Sequence, residues 1–527
     1  MTADRTQEWV FAFLTDPAIH PHVHRIDTHA ASVFLEGDRA LKIKRAVRLP
    51  YLDYSTLEKR KAACDEEIRI NRQFAPQIYR RVVPITRGAD GSLVVDGDGA
   101  PVEFAIEMAR FDECQTIDHL AEAGALDPAL VDAIADAVAA AHAVAPPAPV
   151  APWIESISSI IEGNARALHD AGYFAAGQIN NLREASLLAF ARIRGLLELR
   201  GQQGQVRRCH GDLHLANIVL IDGKPVLFDA IEFDPKIASV DMLYDLAFPV
   251  MDFIHSGRYA AANALLNRYL GMAGGETPDG LAALPLFMSL RSAIRAHVLL
   301  ARLDRGDEEK TAVIQSAQSY FELARRLIHP PAPTLVSVGG LSGTGKSVLA
   351  RALAPDIAPL PGAIVLRSDV LRKQLFKVKD ADRLPESAYR PEITEQVYEI
   401  LLQRALRILA QGHSVVVDAV FAHEAERTAI KDVARGFNVR FVGFFLVADL
   451  AIRISRVEHR RRDASDATPE IVGLQEHYDV GAIDWIVVDA SGTPGQTLED
   501  CQTRIAPVEP AQADGESSHG PLPRNIK

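Results

Sequence analysis

His210-Gly211-Asp212-Leu213-His214-Leu215-Ala216-Asn217, near the middle of the chain, and Gly340-Leu341-Ser342-Gly343-Thr344-Gly345-Lys346-Ser347, after it, are the stretches that decide the reading. Each is a phosphate-handling signature, and the two belong to unrelated folds. The second is a full G-x-x-x-x-G-K-[ST] loop. Its glycines Gly340, Gly343 and Gly345 let the backbone N–H groups of Ser342 to Lys346 curl around phosphates at a helix N-terminus, while Lys346 neutralises them and Ser347 ligates magnesium. Strand Leu335 to Val338 precedes the loop and a helix from Ser347 to Leu353 follows, as that mechanism requires. Two separate ATP sites are therefore expected.

Working outward from the second stretch, strands alternate with helices at Ile364 to Leu366, Ser414 to Asp418, Val439 to Val447 and Ile486 to Val488. That rhythm predicts an α/β domain with a parallel sheet covered on both faces. Asp418 ends the strand Val415-Val416-Val417-Asp418, where a carboxylate can hold magnesium through its hydration shell. Asp369, in Arg367-Ser368-Asp369-Val370-Leu371-Arg372-Lys373, lies just past the end of the second strand. The run Arg453 to Ala467 is arginine-rich, and a solvated basic helix is its plainer alternative.

Working outward from the first stretch, the opening 110 residues read as a mixed sheet with one helix. Strands are expected at Ser32 to Leu35, Ala40 to Ile43 and Val102 to Met108, and a helix from Thr56 to Phe74. From Ile117 to about Leu327 helical spacing dominates, interrupted by the loop His210 to Asn217 and by two short apolar runs, Ile218 to Ile221 and Val226 to Phe228. A small sheet lobe followed by a helical lobe is the expectation. The proline-rich stretch 145–152 reads as a loop within the helical lobe, and His329-Pro330-Pro331-Ala332-Pro333 as the boundary between halves. Domains of 1–330 and 331–506 follow, with a disordered Pro-, Gly- and Ser-rich tail at 507–527.

Composition narrows the classes further. The chain has 527 residues, 48% apolar and 24% charged, with a net charge of −12, which argues against general nucleic-acid binding but leaves a polynucleotide end open. Four scattered cysteines without a C-x-x-C pair indicate neither a zinc knuckle nor a disulfide framework. No basic-then-apolar leader follows Met1, and no apolar run approaches the ~18 residues of a membrane span, so a cytoplasmic protein without membrane contact is expected. His210 and His214 are four apart, but Gly211 argues for a loop rather than a helical metal pair.

The parts of a kinase active site are present in order: a lysine for ATP phosphates, a carboxylate fixing it, an Asp to receive the acceptor proton, and Asn plus Asp for magnesium. Asp212 and Asn217 have the spacing of the H-R-D-x-x-x-x-N loop, and Asp229 ends the following short strand. His-Gly-Asp in place of His-Arg-Asp, and Ala230-Ile231-Glu232 after Asp229, resemble the aminoglycoside phosphotransferase and choline kinase branch of the protein-kinase-like α+β fold over about residues 30 to 325. That resemblance implies Asp212 as the base and Asn217 and Asp229 as metal ligands. It also implies Lys42 as the ATP lysine, Glu67 as its partner, Met108 to Phe111 as the adenine hinge and Asp245 as the brace of the loop. Lys44 and Glu66 compete for the first two roles, and the apolar spacing to Ile70 and Phe74 favours Glu67.

Residues 333 to 500 resemble small P-loop kinases related to phage polynucleotide kinase and zeta toxin. There, Asp369 would take the acceptor proton, and Arg456 and Arg460 would close as a lid over the transferring phosphate. The order of the halves, with Tyr51-Leu52-Asp53-Tyr54-Ser55-Thr56 and Ile231-Glu232-Phe233-Asp234, is similar to a bacterial family of bifunctional aminoglycoside phosphotransferase-like, ATP-binding proteins. The resemblance implies an ATP- and Mg2+-dependent phosphotransferase acting on hydroxyl acceptors: a small molecule in the first half, and a sugar, nucleoside or polynucleotide end in the second. The rival readings are a regulatory ATP-binding switch and a zeta-toxin-like kinase.

Overall fold

The computed structural model describes residues 3–28, 30–49, 52–272, 279–301, 303, 310–379, 382–459 and 464–505. Arg460 and the expected tail at 507–527 lie outside them. Six strands of the N-terminal lobe form one sheet in the order His24–Asp27, Ala31–Glu36, Arg39–Lys44, Ala100–Ala109, Tyr79–Arg87, Leu93–Val95. The expectation of a mixed sheet with one helix is corrected on two counts. Every pairing is antiparallel, and a second helix, Ala3–Leu14, covers one face. The strand Tyr79–Arg87 escaped the pattern because Arg80, Arg81 and Pro84 interrupt its alternation, and its ladder is irregular between Tyr79 and Arg81.

Period-two alternation decides where the lysines point. Leu41 and Ile43 join Phe34, Val83 and Ala105 in a core with Val10 and Leu14 of the first helix, so Lys42 and Lys44 project from the opposite face. Against that face lies helix Leu57–Asn71, started by the Thr56 hydroxyl accepting from the Lys59 N–H. Cys64, Glu67, Ile70 and Asn71 form its buried stripe. Below the sheet lobe a hairpin, Ile218–Ile221 with Lys224–Leu227, begins the helical lobe's contribution to the cleft.

The helical lobe is built on Pro128–Val144, Val150–Ala171, Ala176–Gln202, Met242–His255, Tyr259–Met272, Leu284–Leu300 and Lys310–Leu327. The proline-rich loop is shorter than expected. Pro152 falls in the first turn of Val150–Ala171, where a missing N–H costs nothing. Among the described residues, one helical stretch, Leu281–Leu300, is long and apolar enough to cross a membrane; here it packs inside the lobe, 67% buried.

The C-terminal sheet is parallel throughout, in the order Ile364–Arg367, Val415–Asp418, Thr334–Gly340, Arg440–Val447, Ile486–Asp489. The P-loop strand is central, so the crevice where strand order reverses opens at its carboxyl end. The edge strand is finished by the other half of the chain. Asn263 and Asn267, on helix Tyr259–Met272, donate to the Ala363 carbonyl at 3.0 and 3.1 Å, and Asn267 Oδ1 accepts the Val365 N–H at 2.8 Å. One apolar core continues from the helical lobe onto this face of the sheet, through Ile364, Leu366 and Leu371.

Two histidines, the half-buried His297 and the buried His413, set an expected pH dependence of stability. Burial pushes His297 and His413 down to about 4, although His413 still donates from Nε2 to the Gly362 carbonyl at 2.9 Å. Each then binds a proton more readily unfolded, near pH 6.5, than folded, so its neutral form supports the fold fully above that value. Stability should fall by about 1.4 kcal/mol per pH unit per histidine between about pH 6.5 and about 4. Asp245, depressed to about 2, acts in a lower window. Denaturant titrations at pH 7 and pH 5 check this, and a His413→Gln slope equal to that of the unsubstituted protein would contradict the assignment of that histidine.

Candidate active sites

The first site lies where the lysine strand, the glutamate helix and the loop after the hairpin meet. Lys42 Nζ sits 2.8 Å from Glu67 Oε1 and 2.6 Å from Asp229 Oδ1. Burial alone would lower the Lys42 pKa, but Asp229 and Glu67 hold it well above the ordinary lysine value. Asp229 is depressed to about 2 despite desolvation, chiefly by Lys42. Between the two competing glutamates the structure is decisive: Glu66 turns outward onto Arg69, while Glu67 is wholly buried. Between the lysines it is not exclusive, since Lys44 Nζ holds Glu67 Oε2 at 2.5 Å and also reaches Glu232.

The loop His210 to Asn217 is held rigidly from beneath. Asp245 accepts from the N–H groups of His210 at 3.2 Å and Gly211 at 2.8 Å, and His142 Nε2 lies 3.2 Å from the same carboxylate. Gly211 has φ +87°, and a Cβ there would lie 2.8 Å from that of Ala238, so the position admits only glycine. Arg291 donates to the Gly211 carbonyl, and Asp252 accepts from the Leu215 N–H. Asn217 Nδ2 reaches the Asp212 carbonyl at 2.8 Å, which brings the two polar ends of the loop together. Asp229 has φ +60°, a strained backbone for a non-glycine residue, and receives its fixed position from the Tyr79 hydroxyl on its N–H. Met108 and Phe111 pack against the adjoining apolar cluster of Ile106, Val219 and Val226, with Phe111 edge-on to Phe228 at 4.9 Å.

His214 Nε2 faces the Asp212 carboxylate at 3.6 Å. His210 Nε2 lies on the Phe228 carbonyl at 2.9 Å. Burial pushes both His210 and His214 below the usual histidine value.

The second site is the loop after strand Thr334–Gly340. Gly340, Gly343 and Gly345 all have positive φ, and a Cβ on Gly343 would lie 2.6 Å from the Arg453 carbonyl. Gly345 starts helix Lys346–Leu353. The Ser342 N–H is held by Gln475 Oε1 at 2.7 Å, its carbonyl accepts from Arg453, and Thr344 Oγ1 closes back onto the Leu341 carbonyl. Lys346 Nζ rests on the same carbonyl at 3.1 Å. Ser347 Oγ donates to Asp418 Oδ2 at 2.5 Å, and Arg367 reaches both groups. A serine hydroxyl and a carboxylate at one point are the hard oxygen donors that fit magnesium.

Asp369 lies in the first turn of helix Ser368–Leu375, two residues beyond the strand whose Arg367 pairs in register with Asp418. Burial first, and the neighbouring Asp418 second, raise its pKa against the pull of Lys346 and Arg367. Arg456 Nη2 donates to the Gly492 carbonyl, and its other nitrogen would lie 3.9 Å from a Cβ on Gly345, beside the loop.

Sequence reasoning missed Glu232, Arg367, Gln475 and Asn71. Only Glu232 left a signal, as an acid three residues after Asp229 in an otherwise apolar run. The others act across long separations that spacing cannot register.

Residues 37–284 match the model of the phosphotransferase enzyme family, and residues 335–477 match that of an AAA domain. Uncharacterized proteins of Mycobacterium tuberculosis and Mycobacterium bovis are 28% identical over 474 residues, covering 88% of this chain and 92% of theirs. A choline/ethanolamine kinase family protein from Mesorhizobium loti aligns with 61% of this chain and 98% of its own, at 13% identity and a TM-score of 0.32. A gluconokinase from Sinorhizobium meliloti aligns with 32% of this chain and 90% of its own, at 19% identity and a TM-score of 0.24. The chain is a phosphotransferase enzyme that joins a kinase-like domain of the phosphotransferase enzyme family to an AAA-type P-loop domain with a parallel five-stranded sheet.

Proposed function

We propose that both halves transfer the γ-phosphate of ATP to hydroxyl acceptors: a small molecule in the N-terminal half, and a sugar, nucleoside or polynucleotide end in the C-terminal half. The observation that carries this reading is Lys42 held between Glu67 and Asp229, the latter on a segment that the Ile231 N–H ties to His210 of the loop joining Asp212 and Asn217. In the first half Lys42 would neutralise the phosphates, Met108 to Phe111 would hold the adenine, and Asp212 would take the acceptor proton. In the second, Gly340 to Ser347 would cradle the phosphates, Asp369 would take the proton, and Arg456, with Arg460, would cover the transferring group. Magnesium, when bound, neutralises charge on the transferring phosphates; Asn217 and Asp229 would hold it in the first site, and Ser347 and Asp418 in the second. A cytoplasmic setting, where ATP is abundant, belongs to the same proposal.

Two ATP molecules should bind each chain, and Lys42→Ala and Lys346→Ala should each remove one. Titration calorimetry on the full-length protein reads the stoichiometry directly. A wild-type value of one, with a single lysine mattering, would remove the two-site reading. The asparagine grip on the edge strand favours one second reading, in which nucleotide in one half gates the other. It would appear as an altered affinity at the remaining site of each lysine variant.

A further inference from the structure

Resting on that reading of the first site, we infer that Lys44 and Glu232 are positioning residues, an inner ion pair that keeps the lobes joined while Lys42 and Asp229 separate to take up Mg·ATP. Five side chains alternate in charge from the cleft inward: Asp229, Lys42, Glu67, Lys44, Glu232. The outer pair is open to a ligand, with Asp229 44% and Lys42 14% exposed, whereas Lys44 and Glu232 are 5% and 7% exposed. Nucleotide therefore meets the first pair and leaves the second in place.

The geometry makes this division workable. Lys42 and Lys44 are two residues apart on one face of a strand, and Asp229 and Glu232 are three apart on the facing loop, so the pairs form two rungs between the lobes. Glu67 uses one oxygen for each lysine. When Lys42 turns from Asp229 to the phosphates, Glu67 still holds both lysines and is not left as an uncompensated buried charge. The loop is pinned at two points beyond Asp229: Asn71 holds both backbone groups of Ala230, at 2.7 and 3.1 Å, and Lys44 holds Glu232 at 2.5 Å. The Asp229 carboxylate alone is left to reorient. Lys44 is itself built in, since Gln7 donates to its carbonyl and accepts from the Ala46 N–H, and the Tyr54 ring lies 5.4 Å from its ammonium.

The test uses full-length protein and the affinity of the first site for ATP with and without Mg2+. Two variants are needed: Glu232→Gln, which removes one charge and keeps the shape, and the double variant Lys44→Met with Glu232→Leu, which leaves no orphan charge. In both, Mg·ATP affinity at the first site should fall by about tenfold or more, as for loss of other supporting groups around a metal ligand. The enhancement of binding by Mg2+ should largely disappear, and the second site should bind as before. A pair that served stability alone would lower the melting midpoint and leave the Mg2+ enhancement intact. Wild-type enhancement in either folded variant, or failure of both to fold, would overturn the inference. Full Mg·ATP binding at the first site in Lys42→Ala would instead overturn the reading on which it rests.

Discussion

Asp212→Asn in full-length protein should leave ATP affinity nearly unchanged and cut turnover at the N-terminal site by at least ~10²-fold, the scale of losing a positioned general base. The loop supports so selective an effect. Its backbone is fixed by Asp245 on two N–H groups and by Arg291 on the Gly211 carbonyl, so an amide at position 212 meets an unchanged scaffold. Asn217 also keeps its main contact, which is to the Asp212 carbonyl rather than to the carboxylate. Asp229→Ala should behave differently. It removes the carboxylate that Lys42 holds at 2.6 Å and should weaken Mg·ATP binding itself. ADP release against sugars, aminoglycosides and nucleosides, measured in the Lys346→Ala background, reads both effects. Near-normal turnover of Asp212→Asn with an accepted substrate would show that another group takes the proton.

The second large effect is expected in the P-loop half. Asp369→Asn should abolish transfer to a hydroxyl acceptor and spare ATP binding, because Ser347 and Asp418 already supply the metal's oxygen donors and Asp369 stands two residues beyond the end of strand Ile364–Arg367. Its raised pKa, from burial and from Asp418, brings its proton affinity nearer to that of a working base at neutral pH. Arg456→Ala should lower turnover as well, by up to ~10³-fold if it acts as an arginine finger. Phosphate transfer and ATP hydrolysis, followed side by side in the Lys42→Ala background, separate the possibilities. Equal loss of both activities in Asp369→Asn would point to water as the acceptor and favour the switch.

Both half-sites were readable where their chemistry is local. The P-loop packs its glycines, lysine and serine into eight residues because one turn must wrap one phosphate group, and Asp212 and Asn217 share a single loop for the same reason. The sheet lobe was less readable. Helix Ala3–Leu14 was not read, and strand Tyr79–Arg87 was missed because its arginine pair and proline hide the alternation on which such readings depend.

Within a strand, alternation already placed Lys42 and Lys44 on one face, and helical spacing already favoured Glu67 over Glu66, because both periods are properties of the local backbone. How the charges divide was decided by folding. Glu67 meets Lys42 and Lys44 together, and Glu232 meets Lys44 across 188 positions, since ion pairing depends on which groups burial leaves side by side and not on their order in the chain. The same holds between the halves. A proline-rich boundary at 329–333 suggests two separable units, yet Asn263 and Asn267 complete the edge of the parallel sheet, and one apolar core crosses between them. An exposed strand edge and an uncovered sheet face must find partners, and only the folded chain shows that the phosphotransferase half supplies them.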